Sequence, residues 1–284
     1  MSSLNVHMYT SPENAFFVNS YWIETELGNI VIDTQFLISQ ARQVRSEIEK
    51  TGKPILAVIV THPHPDHYNG AGTLLEGLEQ IPVYATMPTL EGIRATEGPK
   101  RAEWTPTYGS DYPESIMLPN QIVKSGQSVT IDGIELHFQD IGAAETSNHT
   151  LISLPREQAL FCGDLVYNRV HSWLVEGHSS LWLQRLGQVL NEYKVMKSVY
   201  PGHGQPTTLL GLNEQISYIN LVQSLIRKAL EQSNTLTDTD KAAIKATIEA
   251  QYAHLPLASL YNANIEGITQ ELEQSSQSRG TASS

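Results

Sequence analysis

The chain is short of several things at once. It has one cysteine, Cys162, in 284 residues, which excludes an intrachain disulfide and any cysteine-rich metal site. Basic residues are outnumbered, 18 Lys and Arg against 30 Asp and Glu, and the formal net charge is −12. Phosphate recognition needs clustered Lys and Arg, so this balance argues against nucleic acid or an anionic membrane surface as the main partner. No apolar run approaches the roughly 18 residues that a membrane span needs. The opening stretch MSSLNVHMYTSPENAFF lacks a charged segment followed by an apolar one, so no secretory leader is expected. A soluble cytoplasmic location is the expectation. What the chain does have, 40% hydrophobic and 17% charged residues, is the composition of an ordinary globular protein with ample core.

Patterning divides the chain into two parts. Ala15 to Glu24 is rich in β-forming residues, and Leu27-Gly28-Asn29 supplies a turn before Ile30-Val31-Ile32. Leu37, Ala41, Val44 and Ile48 recur at helical spacing, and Thr51-Gly52 ends that pattern. Ile55 to Val60 is a nearly unbroken apolar run, suited to a strand buried on both faces, with a helix beginning near Asn69. Residues 96–120 carry Pro, Gly, Trp and Tyr without a period and read as a long loop. Ile122 to Ile141 reads as a β-ribbon turning at Asp132-Gly133, with strands following near Leu151 and Leu160. A helix is expected over Leu181 to Tyr193, then a strand at Ser198-Val199-Tyr200. The expected organisation is a mixed α/β catalytic domain over 1–212 and a helical extension over 213–274. That extension includes a helix from Asp238 to about Tyr252, and a disordered tail over 275–284 follows it.

The chemistry concentrates in Thr61-His62-Pro63-His64-Pro65-Asp66-His67. A lone histidine is ordinarily a surface or core residue, but three histidines and an aspartate within six positions at a strand end are a metal-binding set. His62 and His64 share a side if the segment is extended, and Asp66 and His67 follow where the chain turns into a helix. Neutral imidazoles and a carboxylate suit Zn²⁺, Fe or Mn²⁺.

This segment resembles the HxHxDH signature of the metallo-β-lactamase superfamily. Further positions resemble the family's remaining ligands in order: His149, Asp164 in Phe-Cys-Gly-Asp, and His203 in Pro-Gly-His-Gly. The resemblance covers roughly residues 5–210 and implies an αββα sandwich with metals at one edge between the sheets. It implies two divalent ions, Zn²⁺ first among the candidates with Fe or Mn²⁺ as alternatives. His62, His64 and His149 would hold one, and Asp66, His67 and His203 the other, with Asp164 bridging. Two cations sharing a water would make it a nucleophile near neutral pH. Asp33 resembles the aspartate that supports the family's metal-bound histidines by accepting a ring N–H.

An aspartate in the bridging position is similar to glyoxalase II and the lactonases rather than to the β-lactamases. Tyr167, three residues after Asp164, stands where lactonases place a tyrosine that points at the substrate carbonyl. One departure stands out. His149 sits in Glu145-Thr146-Ser147-Asn148-His149-Thr150, without the Pro-Gly that usually follows the family's histidine. His171, Trp173 and His178 are candidates for pocket lining, and Trp104 and Tyr108 for an apolar wall over the metals. The function expected is hydrolysis of an ester, lactone or thioester of a small-molecule substrate, with Asp66 protonating the leaving group. Alternatives on the same fold are a mono-iron persulfide dioxygenase-like oxidoreductase, a β-lactam hydrolase, and a non-catalytic interaction protein. The helical extension would serve packing or pair two copies in a homodimer.

Overall fold

The structure, a computed structural model, describes residues 4–233 and 235–281. The first sheet is built from β1 (Asn5–Thr10), β2 (Asn19–Glu24), β3 (Asn29–Ile32), β4 (Ile55–Ile59), β5 (Val83–Thr86) and β6 (Gln121–Val123), in that order across it. Its opening strands are antiparallel, and β3 to β6 run parallel. The second sheet takes β7 (Ser128–Ile131), β8 (Ile134–Gly142), β9 (His149–Leu154), β10 (Ala159–Asn168) and β11 (Ser198–Gly204), in the order β11-β10-β9-β8-β7. The helices are α1 (Ile38–Glu49), α2 (Pro65–Tyr68), α3 (Ala71–Leu74), α4 (Met87–Tyr108), α5 (Ser179–Glu192), α6 (Leu209–Ser233), α7 (Asp238–Tyr252) and α8 (Tyr261–Thr281).

The layers follow from alternation along the strands. Tyr21, Ile23, Ile30, Ile32, Ala57 and Ile59 face Leu136, Phe138, Ile152, Leu154 and Phe161 across the interior between the sheets. Residues of opposite parity, Trp22, Val31, Val58 and Val60, face outward and are covered by Val44 and Ile48 of α1 and Ile93 of α4. β4 is therefore buried on both faces, as its continuous apolar run predicts. On the far side, Leu151, Leu160, Cys162 and Val199 are covered by α5 to α8. Ile219, Val222 and Ile226 of α6 recur at helical spacing and are fully buried there. Each contributes about 1.5–3 kcal/mol relative to exposure, which fixes the helical extension to the second sheet. The result is an αββα sandwich. No helix of the described residues is long and apolar enough to cross a membrane.

Three differences from the sequence reading have physical causes. Residues 96–108 are not loop but the second half of α4, which contains Pro99 and Pro106. An interior proline costs about 3 kcal/mol of helix stability, but buried Leu90 and Ile93 and the aromatic packing of Trp104 hold the helix in place. The expected ribbon over 122–141 is shorter at its start. β7 and β8 pair through a turn at Asp132 (φ 43°) and Gly133 (φ 77°), whereas β6 leaves to join β5 in the other sheet. At the C-terminus α8 runs as far as Thr281, and residues 282–284 lie outside the described residues.

Candidate metal centre

The site lies where the C-terminal ends of β3, β4, β10 and β11 meet the turn between β8 and β9. Beyond β3, Asp33 takes a left-handed backbone, φ 59°, and its carboxylate accepts from the Thr61 amide at 2.9 Å and the Thr61 hydroxyl at 2.8 Å. These bonds pin the end of β4 just before the histidines. Pro65 then opens α2 with its φ already set for a helix, and Asp66 and His67 project from that first turn. On the facing sheet, Gly163 (φ 47°) passes so near β4 that a Cβ would lie 2.8 Å from the Thr61 hydroxyl. A Cβ on Gly202 would collide with Asp164 Oδ1 and His67 Cε1. Glycine is required at both positions for the two sheets to close on the centre.

Three groups of donor atoms result, each gathered within 4.8 Å: a small one of Asp33, His62 and His67, and two larger ones, His62, His64, Glu145 and Asp164 in one, Asp66, His67, Asp164 and His203 in the other. Asp164 is common to both larger groups. Its Oδ1 lies 3.2 Å from His67 Nε2, and its Oδ2 lies 3.2 Å from His203 Nε2 and 3.6 Å from His62 Nε2. Asp66 Oδ2 is 3.2 Å from His203 Nε2 and 3.5 Å from His67 Nε2.

The outer nitrogen of every imidazole in these groups is already engaged. His67 Nδ1 donates to Asp33 Oδ2 at 2.8 Å, and His203 Nδ1 donates to the Phe16 carbonyl at 2.7 Å. His64 Nε2 donates to Glu176 Oε1 at 2.7 Å. His62 Nδ1 lies 3.0 Å from the Thr61 hydroxyl, whose own proton goes to Asp33. Such partners fix the tautomer and leave the inward nitrogen as a lone pair. Asp33 thus serves two histidines, His67 directly and His62 through Thr61.

His149 stands apart from this arrangement. Its ring stacks face to face on His62, centroids 4.4 Å apart and 13° from parallel, and it enters none of these groups of donor atoms. The place expected for it is taken by Glu145, whose Oε2 lies 3.3 Å from His64 Nδ1. Glu145 sits in the turn between β8 and β9, and His149 is the first residue of β9 itself, directed by the strand beside His62. Glu176 is the other acid that the sequence reading missed. It holds His64 and also accepts from the Thr146 hydroxyl at 2.8 Å.

The centre is built for cations. His62 Nε2, His67 Nε2, Asp164 Oδ1, both Glu145 oxygens and both His149 nitrogens are buried without a hydrogen-bond partner, a costly state that metal coordination relieves. The electrostatics agree. Burial works against a charged His203, but Asp164 and Asp66 overcome it and raise the imidazole to about 9. His67 is likewise held well above its ordinary value against burial, by Asp164, Asp66 and Asp33. His62 is pushed down to about 4 by burial and then by His67. Glu145 is pushed well up by burial and by the negative charge of Asp164 and Glu176. Carboxylates that force protons onto neighbouring imidazoles would accept metal ions in their place.

A pocket opens over the donors, reaching His64, Asp66, Asp164 and His203 at its floor. Tyr167 borders it, stacked on His203 with centroids 4.8 Å apart, and its hydroxyl donates to Asp164 Oδ2 at 2.6 Å. Trp104 and Trp173 line the walls. Tyr108 stands behind, against Phe36. His171 is buried away from the pocket between Tyr218 and Tyr261, and His178 immediately precedes α5 without a side-chain capping bond.

Comparison with known proteins agrees with this geometry. The family model for the metallo-β-lactamase superfamily matches residues 14–207. The chain is 27% identical over 183 residues to hydroxyacylglutathione hydrolase of Shewanella halifaxensis, which is 63% of this chain and 59% of that protein. It is 35% identical over 81 residues to linear primary-alkylsulfatase of a Pseudomonas strain, 27% of this chain and 15% of that protein. The chain thus spans less than two thirds of either relative. A solved structure of the sec-alkyl sulfatase PisA1, in a double-mutant form, superposes with a TM-score of 0.67 at 18% identity, covering 90% of this chain and 47% of that one. With the family model spanning both ligand groups, the chain belongs to the metallo-β-lactamase superfamily of metallohydrolases.

Proposed function

We propose that this chain hydrolyses a carboxylic ester, lactone or thioester, using two divalent metal ions. The observation that carries the reading is the pair of donor groups joined by Asp164 beneath a pocket. His62, His64 and Glu145 would hold one metal, and Asp66, His67 and His203 the other. Zn²⁺ suits this nitrogen and carboxylate set, with Fe or Mn²⁺ as alternatives. When bound, the metals supply a water acidic enough to act as nucleophile near neutral pH, and positive charge beside the reacting carbonyl.

The protein's own groups do the rest. Asp66 is only partly covered and lines the pocket floor, where it can pass a proton to the leaving group. Glu145 adds a third carboxylate to Asp66 and Asp164, so two divalent ions would face about −3 of protein charge rather than about −2. That leaves less surplus positive charge for the oxyanion and gives more weight to a neutral donor. Tyr167 is the phenol beside the donors that would supply one by turning its hydroxyl from Asp164 to the substrate. Burial and the nearby Asp164 charge hold it well above its ordinary value, so it keeps its proton.

A second reading, hydrolysis of an alkyl sulfate ester, is favoured by the alkylsulfatases among the relatives. The complete Asp66, His67 and His203 set weighs against a single-iron persulfide oxidoreductase, and the intact ligands weigh against a non-catalytic protein. Zinc-loaded protein assayed on lactones, thioesters, aryl esters and alkyl sulfates tests both readings. Turnover of a carboxylic ester, lactone or thioester supports the first, sulfate release the second, and no turnover of any member contradicts both.

A further inference from the structure

Above the donors the pocket is apolar. Its walls are Phe16, Phe36, Trp104, Trp173, Leu257 and Leu260. Lys100 is the one lysine or arginine among the described residues lining it, and its ammonium is paired with Glu103 at 3.2 Å. A substrate with several ionised groups would find apolar surface and a single ammonium already engaged, and burying charge there is unfavourable. An aryl or alkyl group would instead exchange water for aromatic and aliphatic contacts.

Two of these walls come from far along the chain. Leu257 and Leu260 lie between α7 and α8, and the segment carrying them is tied on both sides to the stretch after β10. The His171 amide donates to the Pro256 carbonyl at 3.1 Å, before the leucines. After them, Tyr261 meets His171 Nε2 at 2.7 Å. Asn264 accepts from the Leu174 amide and donates to the Ser172 carbonyl, both at 2.7 Å. Trp173 stands in the middle of this clamped stretch. Leu257 itself has φ 70°, a conformation a bulky residue rarely adopts. Strain of this kind persists where the surroundings over-determine the backbone, commonly at ligand sites.

We infer that the substrate presents an uncharged aryl or alkyl group to this pocket, and that the segment carrying Leu257 and Leu260, with Trp173, is the wall that selects for it. The inference rests on the hydrolytic reading for what is done to the substrate, but the apolar recognition can be tested without turnover. On this account, a thioester of a peptide bearing two carboxylates is a poorer fit than a simple acyl or alkyl compound.

The test is calorimetric titration of the full-length, zinc-loaded protein with sodium alkanoates from acetate to octanoate. Affinity is expected to rise about fourfold per methylene that enters the pocket. Leu260→Ala and Trp173→Leu are expected to flatten that dependence, and thermal melting of each variant checks that it is folded. If a variant does not fold, the wild-type series alone decides. Affinity independent of chain length, or chain-length dependence unchanged in both folded variants, would overturn the inference. Rising affinity without turnover of any ester, lactone, thioester or sulfate would leave the apolar site standing and remove only the hydrolytic reading.

Discussion

The two halves of the centre are built from the same residue types but solved differently. In the Asp66, His67 and His203 half, two imidazoles face two carboxylates, and charge is nearly balanced even by protons alone. In the His62, His64 and Glu145 half, His62 is held neutral and Glu145 has no hydrogen-bond partner for either oxygen. Both arrangements must release protons to take a metal, the first from His67 and His203 and the second from Glu145, which lies beside His64. They also differ in support. His67 is oriented by Asp33 from the neighbouring strand end, but His64 depends on Glu176, from a stretch clamped to the C-terminal extension.

Six substitutions and one change of pH would break or sharpen this contrast. The largest effect is expected from Gly202→Ala, because its Cβ would displace the carboxylate common to both halves. Turnover should fall about a hundredfold or more, and metal analysis should find both ions reduced. Next, Glu145→Ala should weaken only the His62–His64 half, by more than the 10–100-fold that an outer partner typically costs (about that range). His149→Ala should leave two metals per chain, as read by metal content after dialysis. Equal loss in both variants would erase the distinction drawn between them.

Smaller effects separate the supporting acids. Asp33→Asn and Glu176→Gln should each lower metal affinity about 10–100-fold. Competition with a chelator should show the first acting mainly on the His67 half and the second on the His64 half. The smallest effect concerns His171, which burial and then His254 push down to about 4. When the clamp opens, this imidazole regains an ordinary value near 6.5 (about), so the open form binds the extra proton between those values. The contribution of His171 to holding the extension is therefore fully present above that window and is lost as pH falls through it. Hydrogen exchange in α8 should rise over that range, and His171→Gln should remove the dependence.

Much of this was legible because it is local. The His62–His67 cluster sits at the end of one apolar strand, Asp164 lies within β10 just after its apolar run, and His203 is near the end of β11. α1, α5 and α7 follow from their periodicity or caps. The rest depended on packing across the chain. α4 runs through Pro99 and Pro106 because tertiary contacts outweigh the local cost. The family resemblance points to His149 as the third donor. The available clue was Glu145-Thr146, an acid before threonine just after β8, in a stretch lacking the usual Pro-Gly. Only the fold shows that the turn carries Glu145 inward while β9 lays His149 against the face of His62. Glu176 had no sequence signal, because its partner lies far away in the chain.

The most direct test is anomalous scattering at the metal edge from crystals of the metal-loaded protein. The account predicts two metal peaks sharing Asp164, with a Glu145 oxygen bound to one of them and both His149 nitrogens outside bonding distance. A peak bonded to His149 with Glu145 turned away, or a single metal in the centre, would contradict it.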